Sequence, residues 1–159
     1  MKVPLVQQGL VNGDPDVDAI YRLTRKNYKD HLNIQFDENA PPLVLKRNQY
    51  APFNSQNTWF HYDAFWSLIF PVRFSFRECD IVRSYVTTRL LREIDGNVAF
   101  MPPNAVQFRN AHSYFKDFKD ETRIFNDISD IAASLDEWKC TSSEFKKCFI
   151  DCIQFLAGE

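Results

Sequence analysis

The sequence of 159 residues has almost no excess of charge of either sign: 19 Lys and Arg stand against 21 Asp and Glu, a formal balance of -2. Without a basic surplus there is no general surface for neutralising phosphates, which argues against nucleic acid as a partner. Long hydrophobic runs are missing too. The longest, Ala64 to Val72, is broken by Ser67 and falls far short of the roughly 20 apolar residues a membrane-crossing helix needs. The opening Met1-Lys2-Val3-Pro4 lacks the apolar stretch of a secretory signal, so any targeting element is expected on a part of the protein outside this sequence. Cys79, Cys140, Cys148 and Cys152 form no Cys-x-x-Cys pair and have no histidine set beside them, which excludes the usual spacing of structural zinc sites. No glycine-rich loop is present to cradle phosphates. Repeats, low-complexity tracts and Gly/Ser linkers are absent as well, so one domain over 1–159 is the expectation.

What is present is a globular composition, 45% hydrophobic and 15% aromatic, with fifteen phenylalanines for a ring-rich core. Val3 to Val11 reads as an apolar strand, stopped by the turn formers Asn12 to Asp16. Val17 to Leu23 reads as a helical turn capped by Asp16 or Asp18. Lys26 to Pro42 reads as a surface loop, and Leu43–Lys46 and Thr58–His61 read as strands. Tyr62 to Phe70 is expected as a short buried helix ended by Pro71. Apolar residues from Ile81 to Ile94 recur at three and four, with Gly96 as the stop, so a helix is expected from Asp80. A strand Val98–Met101, halted by Pro102 and Pro103, and helices through Ile124–Leu135 and Phe145–Leu156 complete a mixed α/β layer structure. Cys148 and Cys152 fall on the stripe of the last helix and are expected buried, reduced and unpaired.

Several groups could carry chemistry. Asp14, Asp16 and Asp18 alternate as a divalent cation would require, although a turn with a helix cap explains the same spacing. Asn54, Ser55, Gln56 and Asn57, followed by Thr58 and flanked by Tyr50, Trp59, Phe60 and Trp66, supply the mixture of hydrogen-bonding groups and flat rings that suits sugars; a loop supporting a strand is the alternative. Asp80 is either a helix cap or a general base toward an acceptor hydroxyl, with Arg77 and Arg83 holding it ionised. His112, in a polar loop, is open to metal ligation or to a hydrogen bond. His61 is expected half-buried and satisfied on its strand, and His31 at the surface.

The blocks Gly13 to Thr24, Phe53 to Trp66, Phe76 to Tyr85, and Arg109 through His112 to Phe118 resemble, in this order, the STELLO family of Golgi glycosyltransferase-like proteins. The resemblance runs from about Gly9 to Trp138, and more distantly extends to the reversibly glycosylated polypeptides, mutases of GT-A fold. It implies the carboxyl-terminal, acceptor-side half of a GT-A-like fold, beginning after the Asp-x-Asp motif and without the nucleotide-binding half. By the same resemblance Asp80 becomes the general base and His112 a metal ligand. Asp14, Asp16 and Asp18 become sugar contacts, joined by Asn54 to Asn57, Arg77, Arg83 and Trp66 as substrate-binding residues. A manganese or magnesium ion would serve the complete enzyme, with a nucleotide-sugar and a glycan or protein acceptor as partners, in the Golgi through a membrane anchor outside this chain. This chain alone is expected to bind nucleotide-sugar weakly and to lack activity. The alternative is a non-catalytic module that keeps the fold and binds a protein partner.

Overall fold

The start of the chain forms a strand whose residues are buried or half-buried on both faces, polar Gln8 and Asn12 among them, and the rest of the sheet assembles on it. In the computed structural model, which describes residues 3–27 and 30–158, this is β1 (Val6–Gly13), followed by α1 (Ala19–Leu23), β2 (Leu43–Val44) and β3 (Thr58–Phe60). A 3-10 helix (Tyr62–Ser67), α2 (Phe76–Leu91), a short 3-10 turn (Arg92–Ile94), β4 (Val98–Gln107), α3 (Tyr114–Glu137) and α4 (Phe145–Ala157) complete the chain. The four strands form one mixed sheet in the order β2-β4-β1-β3, flanked by helices. β1 runs parallel to β4 and antiparallel to β3, while β2 pairs antiparallel with the outer side of β4.

β4 does not stop at Pro102 and Pro103, as the sequence suggested, but runs through them to Gln107. The ladder accommodates them by a bulge: β1 advances from Gly9 to Val11 while β4 advances from Met101 to Ala105. The prolines fall within the extra residues, and β2 reaches only Ala99 and Phe100 on the other side, so neither missing N–H is owed to a partner strand.

α2 begins earlier than its apolar periodicity indicated, because Ser75 is its N-cap and Asp80 is its fifth residue. The Ser75 N–H donates to Glu78 Oε2 (2.9 Å). Ser75 Oγ also donates to the Asp120 carbonyl (2.7 Å), and Glu78 Oε1 accepts from the Ile124 N–H (2.9 Å). The start of α2 thus clasps both ends of one rung of α3. Eleven of the sixteen residues of α2 are buried, so its polar members need partners. Arg89 donates to the carbonyls of Leu135 and Trp138 at the end of α3, and its guanidinium lies over the Trp138 ring. Two cores meet along α2. Leu91 joins Val6, Phe53, Ala64 and Val98 against the sheet, and Val86 and Leu90 join Leu135, Trp138, Cys148 and Cys152 against α3 and α4.

Two expectations are corrected here. The segment Tyr62 to Phe70 is a 3-10 helix only to Ser67, and it buries just Ala64 and Ser67, which a three-residue repeat places on one face. Tyr62, Phe65 and Phe70 consequently stand more than half exposed. Cys148 is buried but not free: the connection from α3 to α4 folds back and brings Cys140 to within 5.2 Å (Cα–Cα), where the two form a disulfide. Cys152 is free and buried, and burial pushes its thiol up to about 12. Reduction of the disulfide, or Cys140→Ser, is expected to cost about 2–3 kcal/mol through the loop-closure entropy returned to the unfolded chain. Urea unfolding with and without reductant measures it, and native thiol labelling should reach Cys79 and Cys152 only slowly.

Candidate functional site

Parallel strands β1 and β4 end together, with Gly13 paired to Gln107, so the loops that follow them share one edge of the sheet. The carboxyl ends of parallel strands are where crevices open in α/β sheets. Asp14 N–H donates to the Gln107 carbonyl (3.0 Å), and Arg109 Nη1 lies 2.6 Å from Asp16 Oδ1, tying the two loops. The Asn54–Asn57 loop enters the same edge ahead of β3. There Gly9 N–H donates to the Asn57 carbonyl (2.8 Å), and Asn57 Nδ2 donates to Asn104 Oδ1 (2.6 Å). Glycine at position 9 leaves room for this pair, since a Cβ there would lie 2.4 Å from Asn57 Nδ2 and push the Asn57 side chain away from Asn104.

The three alternating aspartates part company. Asp14 is buried and ion-paired with the equally buried Arg22 (2.6 Å), and its other oxygen lies 2.9 Å from Nδ1 of the exposed His31. It is a structural anchor out of reach of a sugar. Burial alone would raise its carboxyl, but His31 and Arg22 together hold it below the ordinary aspartate value. Asp16 faces Arg109, with Arg77 4.0 Å away. Asp18 is the N-cap of α1, accepting from the Tyr21 N–H (2.8 Å).

The amide-rich loop is held from several sides. Asn54 N–H donates to Gln8 Oε1 (2.9 Å), Asn54 Nδ2 to the Asp16 carbonyl (3.2 Å), and Asp16 N–H to Gln56 Oε1 (3.1 Å). Ser55 meets α2 twice: its N–H donates to Asp80 Oδ2 (2.9 Å), and its Oγ accepts from Arg83. Asp80 is therefore brought directly onto the loop, although not as a helix cap. The arginines are arranged otherwise than the sequence suggested. Among the described residues neither Arg77 nor Arg83 forms an ion pair with Asp80, because Arg83 serves Ser55 and Arg77 turns to α3.

Between α1, the loop, α2 and α3 lies a cleft of about 300 Å³. Asp16, Asp18, Asn54, Arg77, Asp80 and Glu121 give it a polar wall, and Val17, Pro52, Ile81, Tyr85, Ile124, Phe125 and Ile128 an apolar one. Glu121, from α3, organises the polar wall: Oε2 accepts from the buried Ala19 N–H (2.8 Å) and Oε1 from Arg77 Nε (2.7 Å). Burial would lower the guanidinium pKa of Arg77, but Glu121, then Asp117 and Asp16, more than restore it. A second, shallower groove shares Asp16 and Arg77 and adds Gln56, Gln107, Arg109, Asn110 and His112.

His112 meets protein at both ring nitrogens: Nε2 lies 2.7 Å from Asp117 Oδ2 and 3.2 Å from Arg109 Nε, and Nδ1 lies 2.8 Å from the Asn110 carbonyl oxygen. Among the described residues no group of three or more His, Cys, Asp or Glu is arranged to hold a metal ion. Asp14 and Asp16 are already matched to arginines, so these donors do not fit a divalent cation. Trp66 lies away from the cleft, edge-on to Phe145 and Phe149 of α4. His61 is exposed and caps the 3-10 helix, accepting from the Asp63 N–H (3.3 Å), where a half-buried strand residue was expected. Glu121 and the rings of Tyr85 and Phe125 escaped the sequence reading. Glu121 and Phe125 sit four residues apart on α3, as helix-face neighbours do, but their partners are distant in sequence.

Residues 77–159 match the family described as STELLO glycosyltransferases. Two curated relatives from Arabidopsis thaliana, described as probable glycosyltransferase STELLO2 and probable glycosyltransferase STELLO1, are each 35% identical over 154 residues, or 97% of this chain. Those residues make up 20% of either relative, so the chain spans about a fifth of their length.

Proposed function

Because the chain belongs to the STELLO family of glycosyltransferases, we propose that it forms the acceptor side of a nucleotide-sugar-dependent glycosyl transfer, in the manner of the acceptor half of a GT-A fold. The observation that carries this reading is the placement of Asp80. One carboxylate oxygen is fixed by the Ser55 N–H, the other has no protein partner among the described residues, and the side chain lines a cleft that combines polar groups with apolar side chains, Tyr85 and Phe125 among them. Such a carboxylate takes the proton of an acceptor hydroxyl as that oxygen bonds to the anomeric carbon of the donor sugar, while the bond from that carbon to the diphosphate oxygen breaks and the nucleoside diphosphate leaves with the electron pair. Asn54, Arg77, Asp16 and Asp18 stand where ring hydroxyls need donors and acceptors, and the Tyr85 and Phe125 rings offer a surface for the apolar face of a pyranose. Ser55 and Arg83 act behind Asp80, fixing its direction.

The Golgi lumen is the proposed location. The Cys140–Cys148 disulfide suits an oxidising compartment, and no helix among the described residues is long and apolar enough to cross a membrane. The test of the function is transfer of sugar from a nucleotide-sugar to an acceptor glycan by the whole protein and by its Asp80→Asn variant. Turnover by the wild type that the variant loses supports the proposal, and equal turnover removes Asp80 from the chemistry.

A second reading, a protein-binding module, has its own observation. Beside α2 and α4 an apolar groove of about 470 Å³ runs between the Ile69–Phe74 segment and Phe149, Ile153 and Leu156, next to Phe76 and Val72, each 85% exposed. Pull-down of a partner that survives Asp80→Asn but not Val72→Asp with Phe76→Asp would favour it.

A further inference from the structure

The cleft beside Asp80 has a charge pattern that selects among sugars. Four carboxylates and one guanidinium line it. Two of the carboxylates are matched: Glu121 by Arg77 (2.6 Å) and Asp16 by Arg109 (2.6 Å). Asp18 and Asp80 are not. Among the described residues each is bonded only to a backbone N–H, that of Tyr21 or of Ser55, and neither has a cation within ion-pairing distance. The single arginine in the wall is already held by Glu121, Asp117 and Asp16. Any guest therefore meets, in one lining, two carboxylates that lack an ion-pair partner among the described residues and the rings of Tyr85 and Phe125. The volume, about 300 Å³, equals roughly ten water volumes, room for one pyranosyl ring and part of the next.

The geometry points to an uncharged hexopyranosyl unit as the occupant of this cleft, with uronosyl and phosphorylated sugars rejected. This rests on the reading of the cleft as a sugar site. A neutral ring lays its C–H face on Tyr85 and Phe125 and donates its hydroxyl protons to Asp18 and Asp80, which can only accept. A uronate or a phosphate brings a like charge close to both carboxylates, which are open to water, so the repulsion acts at contact distance and is greatest at low salt. The same repulsion acts on the diphosphate of a nucleotide-sugar, which assigns the cleft to the acceptor and not to the donor's anionic half.

The experiment titrates the full chain with a panel of matched tetrasaccharides. Glucose, galactose and mannose tetramers are each compared with the counterpart oxidised to the uronate at C6, following backbone amide signals at low salt. At least one neutral member is expected to shift the amides of Ser55, Ile81 and Phe125, with its uronate counterpart bound about tenfold or more weakly. Asp18→Asn should narrow that gap, since asparagine caps a helix as well as aspartate does, so the variant keeps its fold. Uronates bound as tightly as their neutral counterparts overturn the charge selection while leaving the sugar site standing. A panel that shifts none of these amides overturns the sugar site itself, and the inference with it.

Discussion

An Arg22→Met variant is expected to lose about 3–5 kcal/mol of unfolding free energy, because it strands the Asp14 carboxylate in a buried place without its cation. Arg22 and Asp14 are both about 2% exposed and lie 2.6 Å apart. Arg22 also donates to the Pro15 carbonyl (2.7 Å) and lies over the Tyr114 ring, so one guanidinium joins the β1–α1 turn, α1 and α3. For a domain of this size the loss corresponds to a fall of about 10 °C in Tm, readable by calorimetry. A double variant, Asp14→Leu with Arg22→Met, should recover much of it, as apolar replacements of buried pairs do. A single variant as stable as wild type would refute the account. The pH dependence has a fixed sign. The Asp14 carboxyl is held below its unfolded value, so its contribution is complete above about pH 4 and is lost as the pH falls through the folded value. Asp136, held low by Arg92 and Tyr50 against its burial, acts in the same direction.

Asp80→Asn is expected to lower the rate of glycosyl transfer by about 10²–10⁴-fold, the usual contribution of a positioned general base. The substitution is chosen to be silent in the fold, because an asparagine oxygen can still accept from the Ser55 N–H. What it removes is basicity. An interaction used only in the transition state lowers kcat and kcat/KM together, whereas a residue that merely binds acceptor raises KM with kcat unchanged. Arg83→Met supplies the contrast. It withdraws a positioning contact to Ser55 and should give a smaller loss, accompanied by a shifted Ser55 amide signal.

How far all this can be read from the sequence depends on the range of each interaction. α4 followed from its stripe, with Phe145, Cys148, Phe149 and Cys152 on one face, because burial on one side leaves a periodic trace. The disulfide left none. Cys140 lies outside any helix, and only the fold-back of the connection after α3 brings it to Cys148. The run through Pro102 and Pro103 was hidden for a related reason: proline ends a strand only where its N–H is needed, and the bulge opposite Gly9 removes the need. In the site, Asn54, Asp16, Asp18, Arg77 and Asp80 were legible as chemistry, and the structure brings them to one cleft, with Ser55 behind Asp80. Asp14 and Trp66 carried the same signals but face inward, a matter decided by Arg22 in one case and by Phe145 and Phe149 in the other. Glu121 could not be picked out, since its value comes from Ala19 and Arg77, 102 and 44 residues away in sequence.

The clasp of Ser75 and Glu78 on the Asp120–Ile124 rung bears on how the cleft breathes. Ile81 and Tyr85 descend from α2, and Ile124, Phe125 and Ile128 from α3, so all of the apolar wall except Val17 and Pro52 is shared between two helices that are pinned at this rung. Local fluctuations open a protein in cooperative pieces, and elements that share buried hydrogen bonds belong to the same piece. Loosening either helix at this rung breaks bonds to the other, so the amides of Ile81, Tyr85, Ile124 and Phe125 are expected to exchange with solvent together, and that shared part of the wall to open as one piece.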